Sequence, residues 1–137
     1  MSRYVIDART LLRLIADDVE VASGHQLVAP GRIRSDALAL LFRAVQEGAL
    51  DEKEALTRHE RVTETKMRVL NDRGSRGMAW RIAREQGWDT TYDAEYLAIT
   101  KLQADALVTI DPDLAAKAQG VVPLAPFDAL SVPPSGD

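Results

Sequence analysis

Arg3-Tyr4-Val5-Ile6-Asp7 is the stretch on which the fold turns. Its residues are β-branched or aromatic, apolar at consecutive positions, and stop at an acid, so it reads as a buried strand. A helix follows over Thr10–Ala16, then a polar loop over 17–26 and a second short strand over Gln26–Ala29, closed by Pro30-Gly31. The next helix is expected over Ser35–Glu47, with Leu38, Leu41, Phe42 and Val45 inward and Gly48 as its stop. Asp51–Leu70 reads as one long helix with an acidic first turn, and Asn71–Gly77 as a break. Met78 to Gln86 repeats at helical spacing, ended by Gly87, and Thr90 or Thr91 caps a helix that turns Tyr96, Leu97 and Leu102 inward. Ala106–Thr109 is a further strand, and Asp111-Pro112 opens a helix with an acid at the cap and proline at the first helical position. Gly120 closes it, Val121-Val122 is a candidate last strand, and a disordered tail is expected over 131–137. Strands separated by helices imply an α/β fold whose short, mostly parallel sheet is covered by helices on both faces. Residues 1–130 are expected to form one domain.

Composition narrows the chemistry. The chain has 137 residues, 46% hydrophobic and 28% charged, as in ordinary globular proteins. With no cysteine there is no disulfide scaffold, thiolate zinc site or cysteine nucleophile. Two histidines, His25 and His59, do not make a multi-histidine metal centre. No apolar run approaches a membrane span, and Asp7, Arg9 and Arg13 interrupt any signal-peptide core, so a cytoplasmic location is expected. Gly-rich nucleotide cradles are absent. Asp7-Ala8-Arg9-Thr10 lacks the second aspartate of a haloacid-dehalogenase phosphatase, and no nucleophile elbow supports a Ser-His-Asp triad.

The net charge of −4 hides an asymmetry. Residues 1–50 balance at zero, 51–88 carry +2 and 89–137 carry −6. Five arginines against Asp72 fall between Arg68 and Arg84. Solvated helix faces account for much of this pattern, and an anionic partner on the basic segment is the functional alternative.

Four acids stand where an open parallel sheet gathers its functional groups, at strand carboxyl ends and helix amino ends. Asp7 closes the first strand, Asp111 follows the Ala106–Thr109 strand, and Asp36 and Asp93 fall in first turns of helices. Converging carboxylates repel unless a cation neutralises them, and an all-oxygen donor set suits Mg²⁺ or Mn²⁺. Each acid also has a plainer use. Asp111 caps a helix, Asp36 and Asp93 complement helix dipoles, and Arg9 is an available partner for Asp7.

The ordered set, Tyr4-Val-Ile-Asp7-Ala8, Val28-Ala-Pro30 leading to Asp36 and Phe42-Arg-Ala-Val-Gln-Glu-Gly48, resembles the first half of a PIN-domain protein. Thr91-Tyr-Asp93-Ala-Glu-Tyr96-Leu-Ala98 and Leu107-Val-Thr-Ile-Asp111-Pro-Asp-Leu114-Ala resemble its second half. The likeness spans residues 3–128 and points to the VapC-type toxins of bacterial toxin–antitoxin pairs. It implies a Mg²⁺-dependent endoribonuclease, with Mn²⁺ as a substitute, whose acids fall at Asp7, Asp36, Asp93 and Asp111. Asp7, Asp93 and Asp111 would hold the metal and Asp36, where the family usually has Glu, would reach it through water. Arg9 stands where a small hydroxyl or amide residue is common, and with Arg68, Arg73 and Arg76 it is a candidate contact to the RNA backbone. The resemblance further implies a homodimer and a cognate antitoxin that blocks the acidic groove. The alternative is a PIN-like module that holds protein or RNA without cleaving it.

Overall fold

The structure, a computed structural model, describes residues 2–134. The first strand, β1 (Ser2–Ile6), is followed by α1 (Ala8–Ala16), β2 (His25–Pro30), α2 (Ile33–Gln46), α3 (Glu52–Glu64) and β3 (Arg68–Leu70). Then come α4 (Arg73–Gln86), α5 (Tyr92–Gln103), β4 (Ala106–Val108), α6 (Pro112–Ala118) and a 3-10 helix over Phe127–Ser131. All four strands are parallel, in the order β3-β2-β1-β4. Tyr4 of β1 lies between Leu27 of β2 and Ala106 of β4, and Val5 between Val28 and Leu107. Helices cover the sheet in a three-layer α/β arrangement, as the alternation of elements implies. α5 lies against β1, β2 and β4 and carries α4 on its other side, while α1, α2 and α3 pack on one another. Val5, Ile6, Val28, Leu107 and Val108 of the sheet join Leu11, Ile33, Leu97 and Ile99 in a single buried cluster.

Several local expectations are corrected. Asp51–Leu70 is not one helix: α3 stops at Glu64, and Arg68–Leu70 pairs with Val28–Pro30 as the edge strand β3. The Thr65 hydroxyl donates to the Arg61 carbonyl at 2.7 Å while its own backbone turns extended, which competes with the next helical turn. The open edge of β2 then offers the following residues a hydrogen-bond ladder. The glycine-bearing stretch 71–77 is not a break throughout: from Arg73 on it forms the first turns of α4. Asp72 caps it, accepting from the Ser75 amide at 3.0 Å, and these Ser75 hydrogen bonds hold its carboxyl below the usual range. Val121-Val122 forms no strand, and the only pairing there is an isolated bridge between Leu107 and Leu124. Ser131, the expected start of a tail, closes the 3-10 helix, and Val132 offers its carbonyl to the His25 ring. Residues 135–137 of that expected tail lie outside the described residues.

The inward faces of two helices also differ from expectation. Ile33, Ala37 and Leu41 form the buried row of α2, whereas Leu38 and Phe42 face solvent, Phe42 at 65% exposure. The apolar positions of α2 exceed what one face can bury, so hydrophobicity alone does not identify the inner row. Leu102 of α5 is likewise exposed, while Tyr96 and Leu97 are buried as expected. Asp111 and Pro112 open α6 as the sequence indicates. No helix among the described residues is long and apolar enough to cross a membrane.

The rotation of α2 gives a direct prediction. Leu41→Ala should lower unfolding free energy by about 2–5 kcal/mol, because it opens a cavity against the core. Phe42→Ala should change it by no more than about 0.5 kcal/mol in the free protein. Urea denaturation followed by far-ultraviolet circular dichroism separates the two, and the reverse order would mean that α2 is turned the other way.

Candidate active site

A parallel sheet places every strand's carboxyl end on one edge, and the four acids meet there. Asp7, Asp36, Asp93 and Asp111 line one cleft of about 490 Å³, together with Arg9, Arg32, Arg43, Tyr92 and Tyr96. They come from four separate places: the end of β1, the first turns of α2 and α5, and the cap of α6.

Asp7 is the buried member, at 5% exposure. It caps α1, accepting from the Thr10 amide at 3.2 Å and from the Thr10 hydroxyl on Oδ1, while the Thr109 hydroxyl donates to Oδ2 at 3.0 Å. Those hydroxyls are themselves acceptors: Ile110 N–H donates to Thr10 Oγ1 at 3.1 Å and Asp111 N–H to Thr109 Oγ1 at 3.0 Å. Burial pushes the Asp7 carboxyl above its ordinary value. The threonine hydrogen bonds oppose that rise and the charge of Asp111 adds to it. Arg9 pairs with Asp111 rather than with Asp7, its Nε standing 3.7 Å from Oδ2.

Asp36 is held on both oxygens. Arg32 clamps it bidentately, Nε to Oδ2 at 2.8 Å and Nη2 to Oδ1 at 3.0 Å, and the Tyr96 hydroxyl donates to Oδ2 at 2.7 Å. The same guanidinium donates to Glu95 Oε2 at 3.0 Å and sits over the Tyr92 ring at 4.0 Å. Two carboxylates raise the Arg32 pKa further, and burial with the Asp36 hydrogen bond raises that of Tyr96. Asp93 carries one partner, Lys117, whose Nζ donates to Oδ2 at 2.8 Å and lies over the Trp88 ring at 5.2 Å. That hydrogen bond raises the lysine's pKa.

Of the four arginines expected to meet an RNA backbone, Arg9 lines the cleft, and Arg68, Arg73 and Arg76 do not. Sequence reasoning passed over Arg32, Glu95, Tyr92, Arg43 and Lys117. Only the Arg32–Asp36 pair had a readable signal, an opposite-charge spacing of four residues on one helix.

The donor chemistry fits a hard divalent cation, since the cleft offers carboxylates and no nitrogen or sulfur ligands from histidine or cysteine. Desolvation of Asp7 beside a second carboxylate also creates a demand for positive charge. Among the described residues no three acids stand close enough to share an ion as they are placed. Arg32 and Lys117 neutralise Asp36 and Asp93 instead. The Lys117–Asp93 pair is exposed on both sides, which makes it weak and readily exchanged.

Solved structures share this architecture. PAE2754 from Pyrobaculum aerophilum aligns with a TM-score of 0.70 and 26% identity, over 94% of this chain and 86% of that one. VapBC-1 from nontypeable Haemophilus influenzae aligns with a TM-score of 0.59 and 16% identity, over 91% of this chain and 98% of that one, a likeness of fold. No protein-family model matches the chain, and no curated protein matches it by sequence. The likeness is therefore one of backbone architecture. The chain thus shares the fold of PAE2754 and of VapBC-1, a three-layer α/β arrangement like the one that the resemblance to PIN-domain proteins implies.

Proposed function

We propose that this protein is a Mg²⁺-dependent endoribonuclease, the toxin of a toxin–antitoxin pair. The observation that carries the reading is the convergence of Asp7, Asp36, Asp93 and Asp111, from four distant parts of the chain, on one cleft. Asp7, Asp93 and Asp111 would hold the ion, with Mn²⁺ as a substitute, and Asp36 would act through water or through Arg32. When bound, the ion supplies Lewis acidity, lowering the pKa of water toward neutrality and offsetting charge on the phosphate. Hydrolysis adds the water oxygen to phosphorus, breaks one phosphorus–oxygen ester bond and delivers a proton to the leaving oxygen. Asp7, fixed by Thr10 and Thr109, presents its charge in one orientation. Arg9 and Arg43 line the cleft and meet the phosphate's negative charge. Lys117 neutralises Asp93 through its hydrogen bond at 2.8 Å, and Asp93 would have to leave it to hold an ion.

An antitoxin partner and a homodimer belong to the same reading. The exposed Leu38 and Phe42 support the partner, because they lie on α2, the helix whose Ala39, Leu40 and Arg43 line the cleft. A partner that covers them also covers the site.

The decisive experiment is cleavage of a mixed RNA pool with and without Mg²⁺. Asp7→Asn should lower cleavage about a hundredfold or more, several kcal/mol of lost charge stabilisation. Wild-type protein that leaves the pool intact at all Mg²⁺ and Mn²⁺ concentrations would favour a binding module. The same variant should be more stable than wild type when metal is chelated. The folded-state pKa of Asp7 lies above its unfolded value, so the ionised carboxylate opposes folding, and that penalty disappears as pH falls through the folded-state pKa. The melting temperature of Asp7→Asn should therefore exceed that of wild type at pH 7, with the gap closing toward about pH 4. A gap that widened on acidification would contradict this assignment.

Lys117→Gln tests the exchangeable cation. Freed of its partner, Asp93 should take up Mn²⁺ with an affinity raised by up to about fivefold, the scale of an exposed ion pair. Titration calorimetry of metal binding measures it, and weaker binding than wild type would show that Lys117 supports the ion instead of competing with it.

A further inference from the structure

A second cavity of about 450 Å³ adjoins the acidic cleft, walled by the end of α4 and the turn into α5. Trp80, Arg84, Trp88, Asp89, Thr91 and Tyr92 are among its lining residues. It holds both tryptophans of the chain, although aromatic residues make up only 5% of the sequence. Trp80 is 66% exposed and Tyr92 is also exposed, an apolar expanse that free solvent does not favour. Trp88, by contrast, packs partly against the core, so the fold uses one tryptophan and leaves the other outside. Nothing in the proposed chemistry employs this pocket.

Its position gives it a meaning. Tyr92 lines both cavities, so the aromatic pocket begins where the acidic cleft ends. Positive charge lies along the junction, Arg32 over Tyr92 and Lys117 over Trp88. The helix behind Trp80 carries Arg73, Arg76, Arg81 and Arg84 against Glu85, while acids define the neighbouring cleft. Indole and phenol faces beside a guanidinium suit a planar, π-bearing ring joined to an anionic backbone. Asp89 and Thr91 add hydrogen-bonding groups suited to polar ring edges. A basic helix favours a polyanion over a cationic protein segment.

We infer that this pocket is a base-stacking subsite, in which Trp80 and Tyr92 receive an unpaired nucleobase of the RNA strand whose phosphate occupies the acidic cleft. The inference rests on the ribonuclease reading and deepens it, because a base must leave its helix to enter. Single-stranded RNA should therefore be preferred to duplex, with tolerance for which base is bound, since every base offers a π face.

Because both tryptophans line the pocket, intrinsic fluorescence reports on it directly. The experiment titrates the whole protein, metal chelated to prevent cleavage, with a single-stranded RNA oligonucleotide, its duplex, and an abasic oligonucleotide of equal length. Saturable quenching by the single strand alone is expected. Trp80→Ala should weaken binding, followed by anisotropy of a labelled oligonucleotide, by about tenfold, while Trp80→Phe retains most of the affinity. Equal quenching by the abasic strand or the duplex, or wild-type affinity in Trp80→Ala, would overturn the subsite. Binding only of a protein partner at Trp80, with none of RNA, would overturn it too. The two readings fail separately. Asp7-dependent cleavage without quenching removes the subsite alone, and quenching by a protein that never cleaves RNA in Mg²⁺ removes the ribonuclease alone.

Discussion

A carboxylate buried at the end of the central strand is the constraint around which the site is built. Water is removed from Asp7, and an uncompensated charge there would be costly. Thr10 and Thr109 offset part of that cost, and in doing so they join two distant turns. Thr10 belongs to the turn that leaves β1, Thr109 to the turn that leaves β4, and each hydroxyl also accepts an amide from the segment opening α6. Solvating Asp7 and positioning Asp111 are thus one structural act. The sheet supplies the proximity, and the two threonines supply the orientation.

Around this fixed point the cleft balances its own charge with two kinds of cation. Arg32 is half-buried, forked onto Asp36, shared with Glu95 and stacked on Tyr92, so its motion would break several contacts together. Lys117 is exposed and meets Asp93 through a single hydrogen bond at the end of a flexible stem. Arg32 is built into the wall, whereas Lys117 and Arg9 reach Asp93 and Asp111 from exposed positions. Such a division offsets the mutual repulsion of acids gathered in one cleft.

The large features were legible because they follow from strong periodic or local signals. Tyr4 to Asp7 reads as a strand from its residue types, and Asp111-Pro112 announces a helix through the cap and the fixed φ of proline. The convergence of four acids follows from parallel topology alone. What escaped depended on tertiary choice. Arg68–Leu70 is too short for any period to register, and it becomes a strand because β2 has a free edge. Gly74 and Gly77 weaken α4 locally, yet the Asp72 cap and the packing of α4 on α5 outweigh them. Leu38 and Phe42 look like core residues until the sheet decides which row of α2 faces it. The cations escaped for a different reason: Lys117 lies 24 residues beyond Asp93, and no sequence pattern ties them.

The strand order has a consequence for how the protein comes into being. β1 precedes the other three strands along the chain but sits between β2 and β4, and its partner on one side arrives only with residues 106–108. Pairing across so much chain is slow to close, because loop entropy must be overcome before the contacts form. Until Thr109 is in place, Asp7 lacks one of its donors, and Asp111 has not been made. A nascent or truncated chain therefore carries the first carboxylate of the cleft without the last. The four-acid cleft is assembled only once β4 has paired with β1 and the chain through Asp111 is in place.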